Sequence, residues 1–212
     1  MYRDRDPSVD PPASRTLHAE LVAPLSIKQP SEINTQQSHV WRVVPQVQRP
    51  IGPAWVIGQL THEALRRWRF PDADNFDVFL WPFALEAGLT DGAEIQATIN
   101  EVRRLLRRFQ THPLHAEIEQ ADRWHEIPYA LPGDTGVIDL LYRSGTAWTI
   151  VDFKTDEVRS IAEMLTTIAR EQYAEQVRRY SDAIAPQIGQ RPRACLVFLR
   201  VGNTVQVEEL RK

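Results

Sequence analysis

The sequence predicts an α/β fold in which a mixed central sheet is flanked by helices. Three short runs rich in β-branched and aromatic residues follow one another between residues 125 and 155, joined only by turn formers, and so predict an antiparallel meander. Apolar residues at helical spacing lie before and after that meander, and a final pair of strand-like runs closes the chain. The order helix, helix, three strands, helix, two strands is that of a layered α/β sandwich.

Residues 1–50 stand apart. Seven of the fifteen prolines fall there, at positions 7, 11, 12, 24, 30, 45 and 50, and a segment so interrupted holds neither a long helix nor a central strand. It reads as a proline-rich N-terminal arm or linker, with short strands near LHAELV (17–22) and VWRVVPQV (40–47). The folded domain is expected over residues 51–212.

From Ala54 onward, Val56, Leu60, Leu65 and Trp68 recur at three- to five-residue spacings and stop before Pro71, which predicts a first helix of about fourteen residues. Residues 71–90 are aromatic and irregular. Thr90 or Asp91 is placed to cap a second helix through Ile95, Ile99, Val102, Leu105, Leu106 and Phe109, ending near His112-Pro113. Strands are expected at 125–131, 136–143 and 146–155, then one long helix from Ile161 to Ile184 with an imperfect apolar stripe. RACLVFLRV and TVQVEEL, separated by Gly202-Asn203, form a closing hairpin.

At 212 residues, 42% of them hydrophobic, the chain can bury a core of its own. A formal net charge of -3 excludes a protein that coats nucleic acid through bulk positive charge, so any such contact must be local. The single cysteine, Cys195, excludes an internal disulfide and a cysteine-held zinc site. No run approaches the roughly 20 apolar residues of a membrane span, and the charged, proline-rich start is unlike a signal peptide. The expectation is a soluble, cytoplasmic protein with no membrane partner.

The chemistry is concentrated in AWTIVDFKT (147–155). Side chains alternate along a strand, so Asp152 and Lys154 share a face while Phe153 points to the other. Asp139, in the preceding strand, is brought near by the hairpin at Ser144-Gly145. An Asp-x-Lys pair at a strand end is usually a solvated ion pair. Here apolar residues flank both acids, and buried strands hold acids only when these are paired or bound to metal. Two carboxylates and a lysine suit Mg²⁺ or Mn²⁺ and phosphate chemistry.

The succession Gly58-Gln59-Leu60-Thr61-His62, Glu126-Ile127-Pro128-Tyr129, Gly136-Val137-Ile138-Asp139, Ile150-Val151-Asp152-Phe153-Lys154-Thr155 and Tyr173-Ala174-Glu175-Gln176-Val177-Arg178-Arg179-Tyr180 resembles the RecB-type nuclease domain of the PD-(D/E)XK superfamily, as found at the C-terminus of RecB/AddA and UvrD-like helicase-nucleases. The likeness covers about residues 55–205, with five motifs in the family's order. Ile138 stands where the superfamily's name places a proline, as is common in this branch. The resemblance implies a restriction-endonuclease-like fold and a Mg²⁺- or Mn²⁺-dependent nuclease, an exonuclease, acting in DNA repair and recombination. It implies that His62, Asp139, Asp152 and the carbonyl of Phe153 hold the metal and that Lys154 is the catalytic lysine. Glu126 would help hold water at the metal or the geometry of the site, and Gln176 and Tyr180 would act beside the DNA backbone. The cysteines of iron-sulfur relatives are missing, so no cluster is expected.

Local positive charge for DNA is available at Arg66, Arg178 and Arg179, with a further arginine stripe at 103, 104, 107 and 108. Single-stranded DNA is the expected partner. A catalytically silent DNA-binding or scaffold module, and a metal phosphoesterase for small molecules, are the rival readings. The intact His62, Asp139, Asp152 and Lys154 set opposes the first, and the arginines oppose the second. No Gly-x-x-x-x-Gly-Lys-Ser/Thr loop occurs in the sequence, so a UvrD-like helicase is expected in cis or in trans. The proline-rich arm is the expected tether.

Overall fold

The computed structural model describes residues 52–210, and the strands expected in the proline-rich arm lie outside the described residues. Within these bounds the order is α1 (Ala54–Arg66), α2 (Phe76–Glu86), α3 (Gly92–Gln110), α4 (Pro113–Glu119), β1 (Asp122–Leu131), β2 (Asp134–Ser144), β3 (Ala147–Lys154), α5 (Ile161–Arg170), α6 (Tyr173–Ile188), β4 (Arg193–Val201) and β5 (Thr204–Glu209). The sheet runs β1-β2-β3-β4-β5. Only β3 and β4 pair in parallel, and the other three ladders are antiparallel. The α5–α6 segment makes the crossover that a parallel pair requires.

Helices cover both faces. Val56, Leu60 and Leu65 of α1, Leu80 of α2, and Ile99, Leu105 and Phe109 of α3 pack on Leu140, Val151, Phe153 and Val197 of the sheet. On the other face Met164 of α5 and Val177, Tyr180 and Ile184 of α6 pack on Ile138, Leu141, Ile150 and Leu196. Asp91 caps α3 by accepting from the Glu94 amide at 2.8 Å, and the Thr98 hydroxyl accepts the Gly52 amide at 2.7 Å, seating the start of the described chain on α3. Among the described residues no helix is long and apolar enough to cross a membrane.

Three expectations change. The stretch 71–90 is not irregular throughout, because α2 forms across Pro82. Proline sits seven residues into this helix, and the surrounding run of Phe76, Phe79, Leu80, Trp81 and Phe83 is apolar on every side, so no periodic stripe announces it. After the second predicted helix, α4 begins with Pro113 as its first residue and His112 as its cap, a position where a missing amide costs nothing. The single helix expected over 161–184 is two helices: Gln172 has φ 56°, a left-handed backbone that breaks the hydrogen-bond ladder and redirects the chain into α6.

The alternation of side chains is broken at two facing positions. Ile127 and Tyr129 of β1 lie with the α6 side of the core, yet His125 packs against Trp68 on the α1 side. In β2, Ile138 lies on the α6 side and Leu140 on the α1 side. Both strands therefore reverse faces, at Glu126 and at Asp139. The β1–β2 ladder passes from His125↔Leu140 to Ile127↔Ile138 across that point, and Glu126 has φ 52°. Such a reversal re-aims side chains out of the layer they would otherwise join.

Candidate active site

The β2–β3 ladder ends at Leu140↔Val151, so Asp139 and the last residues of β3 separate into a cleft at the sheet's end. One oxygen of Asp139 fills the gap in the ladder, accepting the Phe153 amide at 2.8 Å. Its other oxygen lies 3.6 Å from Nδ1 of His62. Asp152 and Lys154 sit on the α6 face of β3, as alternation requires, with Lys154 Nζ 2.7 Å from Asp152 Oδ2. A cavity of about 410 Å³ opens here, lined by His62, Asp139, Asp152, Lys154, Gln176 and Tyr180 among others.

Each element delivers its residue for a local reason. The first helix lies close to the end of β3 because residue 58 is glycine: a Cβ there would come within 2.9 Å of the Thr155 hydroxyl. His62 follows one turn later on the same helix face, which gives the Gly-x-x-x-His spacing a physical basis. From the opposite face, Gln176 Oε1 accepts from Lys154 Nζ at 3.0 Å, and Gln176 Nε2 donates to the Tyr180 hydroxyl at 2.6 Å. The i, i+4 spacing of Gln176 and Tyr180 makes this relay possible.

Electrostatics match the geometry. Asp152 is 2% exposed, and burial lifts its carboxyl well above the usual carboxylate range. Lys154 pulls it back down and the Asp139 charge adds to the rise. Asp152 Oδ2 is buried, with the Lys154 ammonium as its close ion-pair partner. For His62, burial lowers the imidazole's affinity for a proton, but the nearby Asp139 and Asp152 carboxylates outweigh it and the pKa rises. Glu126, opposite Asp139, is also raised, by burial first and then by the Asp139 charge, against the opposing pull of Arg66 and His62. The sequence-predicted Lys154, Glu126, Gln176, Tyr180, His62, Asp139, Asp152 and Phe153 thus meet in one neighbourhood.

The donor chemistry fits a hard divalent cation. Among the described residues no three His, Cys, Asp or Glu side chains close around a common point. A Mg²⁺-like ion needs fewer, since it keeps several waters and takes one or two protein carboxylates. Asp152 offers a buried carboxylate beside the Lys154 ammonium, Asp139 an adjoining carboxylate, and Phe153 a backbone carbonyl at the same point of the sheet. Cys195 is buried in β4, where burial pushes its thiol up to about 11, so it presents no thiolate ligand.

The arginines divide into two groups. Arg103 is held by Asp77 and the Pro71 carbonyl and Arg108 by Asn203, so these two are committed to the fold, whereas Arg104, paired with Glu101, and Arg107 are exposed. Arg66, Arg178 and Arg179 are exposed too and pair with Glu63, Glu175 and Asp134. Surface pairs of this kind are weak and can yield to a phosphate.

Tyr173 and Asp156 also line the cavity. The sequence reading assigned neither a role, although Tyr173 stands three residues before Gln176, a spacing that puts both on one helical face.

A family model described as the PD-(D/E)XK nuclease superfamily matches residues 37–212, beginning inside the proline-rich stretch. None of the curated proteins matches the sequence. Among solved structures, a protein of Eubacterium rectale described as a candidate exonuclease is similar in fold, with a TM-score of 0.50 at 12% identity over 74% of this chain. The matched part is 59% of that protein's length. A Vibrio cholerae protein gives a TM-score of 0.30 at 12% identity, over 69% of this chain and 41% of its own.

Proposed function

The chain belongs to the PD-(D/E)XK nuclease superfamily, and on that premise we propose that it is a metal-dependent deoxyribonuclease, an exonuclease acting on single-stranded DNA. The observation that carries this reading is the convergence of Asp139, Asp152 and Lys154 at the parted end of β2 and β3, with Asp152 buried against the Lys154 ammonium. His62, Asp139, Asp152 and the Phe153 carbonyl are the residues that would hold Mg²⁺ or Mn²⁺. When bound, the ion supplies Lewis-acid charge for the phosphodiester.

The chain's own residues supply position and protons. Lys154 Nζ, fixed by Asp152 and Gln176, orients a water for in-line attack and offsets charge that develops on the phosphoryl oxygens. The water oxygen bonds to phosphorus, the bond to the 3′ oxygen breaks, and the products are a 5′ phosphate and a 3′ hydroxyl. Gln176 and Tyr180 hold the lysine's reach from the α6 side. Glu126 shapes the water side of the cleft, beside Asp139. Arg66, Arg178 and Arg179 exchange their carboxylate partners for DNA phosphates.

The RecB-like placement belongs to the same proposal. Residues 1–50 are the arm that tethers the nuclease domain, residues 51–212, to a UvrD-like helicase in the same polypeptide or a partner, with 37–50 inside the family match. A tether raises the local concentration of an emerging strand at the cleft, and DNA repair and recombination is the role that goes with this reading. The test is incubation of the purified chain with end-labelled single- and double-stranded DNA under Mg²⁺, Mn²⁺ or chelator. Metal-dependent shortening of the single strand is expected, and binding without cleavage under every metal would instead support a silent scaffold module.

A further inference from the structure

Lys154 has a third neighbour besides Asp152 and Gln176. The ring of Tyr173 lies with its centroid 3.9 Å from Nζ, well inside the range at which an ammonium is drawn to an aromatic face. Tyr173 is the first residue of α6, directly after the left-handed Gln172, so the break between α5 and α6 is what brings this ring to the cleft. Its hydroxyl donates to Asp156 Oδ2 at 3.1 Å, and its ring packs toward Phe198 of β4 at 6.2 Å between centroids. The ring is thereby held from two sides.

This arrangement meets a specific need. Lys154 has a side chain of four rotatable carbons and is two residues from another carboxylate, Asp156, at the rim of the same cavity. A lysine free to swing toward Asp156 would leave Asp152 and the water position. The ring face of Tyr173, 3.9 Å from Nζ, gives the ammonium a contact that a swing toward Asp156 would forfeit.

We propose that Tyr173 is a positioning residue for Lys154, acting through its ring face to hold the ammonium between Asp152 and Gln176. The inference rests on the nuclease reading for its functional consequence, but the positioning itself is a property of the metal-free chain. Tyr173→Phe keeps the ring and loses the hydroxyl. Tyr173→Leu keeps apolar packing and loses the face.

Two measurements decide it. Nuclear magnetic resonance of the full chain without metal reads the Lys154 ε-methylene protons, which an aromatic face shifts upfield. That shift should persist in Tyr173→Phe and vanish in Tyr173→Leu. In DNA cleavage, Tyr173→Leu should lower kcat about tenfold with KM within about twofold, while Tyr173→Phe stays within about twofold of wild type. Melting temperatures of both variants close to wild type keep the comparison about position. An unshifted Lys154 in the wild-type chain, equal kcat in wild type and Tyr173→Leu, or equal losses in both variants would overturn the proposal. If the wild-type chain cuts no DNA with either metal, the nuclease reading fails, and the resonance experiment still decides the role of Tyr173.

Discussion

Asp152 and Lys154 carry the largest expected effects of any single residues. Asp152→Ala removes a buried ligand oxygen, and Lys154→Ala removes the ammonium that meets developing charge. Each should lower cleavage by about a thousandfold or more while circular dichroism remains that of the native fold; wild-type rates in either variant would remove these residues from the site. His62 is 37% exposed in its side chain and stands at the mouth rather than the floor of the cleft. Its replacement should therefore weaken the ion more than the chemistry: His62→Ala is expected to reduce Mn²⁺ affinity by about tenfold. Isothermal titration checks this, and unchanged affinity would return His62 to ordinary packing. Asp152 was legible in the sequence because an acid inside an apolar strand is conspicuous, and Lys154 because it shares that face, whereas His62 was reached only through the family resemblance. Tyr173 was not, since an aromatic at a helix start reads as packing until the lysine is seen beneath it.

At the scale of elements, strands were easier to read than helices. Short turns fixed the meander, and the actual β1, β2 and β3 differ from their expected spans by no more than three residues at any end. The α2 helix escaped notice because Pro82 and the surrounding aromatics erase both its propensity and its periodicity. The α5–α6 break escaped because glutamine rarely adopts a left-handed backbone, and nothing local to Gln172 announces that the crossover must turn there. The face reversal at Glu126 and Asp139 was equally hidden: alternation placed the acids on strands but not the point where the strands roll over. The break yields a prediction. Gln172 is exposed, so substitution acts through the backbone. Gln172→Gly should be neutral or slightly stabilising, whereas Gln172→Ile should cost about 1–2 kcal/mol, since a β-branched side chain crowds the left-handed region. Urea denaturation separates the two, and equal midpoints would show that the junction carries no backbone strain.

Across the whole molecule, charge and connectivity set how the chain meets DNA. The net charge of -3 and the internal pairing of Arg103 with Asp77 and of Arg108 with Asn203 limit the cations left for phosphate. The salt dependence of single-strand binding should accordingly be shallow, about two to three released counterions, and Arg66→Ala or Arg178→Ala should each reduce the slope by about one. Filter binding across a salt series measures it, and an unchanged slope in both variants would move the DNA path elsewhere. The shared reversal at Glu126 and Asp139 has a kinetic side as well. A sheet whose first ladder is continuous at its two ends but interrupted in the middle should exchange its amide protons unevenly. Deuterium should enter around residues 126 and 139 well before residues 124 and 141, although all four lie in the same pair of strands. The cleft would then be the place where the sheet breathes, and a divalent ion joining Asp139 to Asp152 across it would slow that exchange, letting a clock of proton loss report occupancy without any DNA being cut.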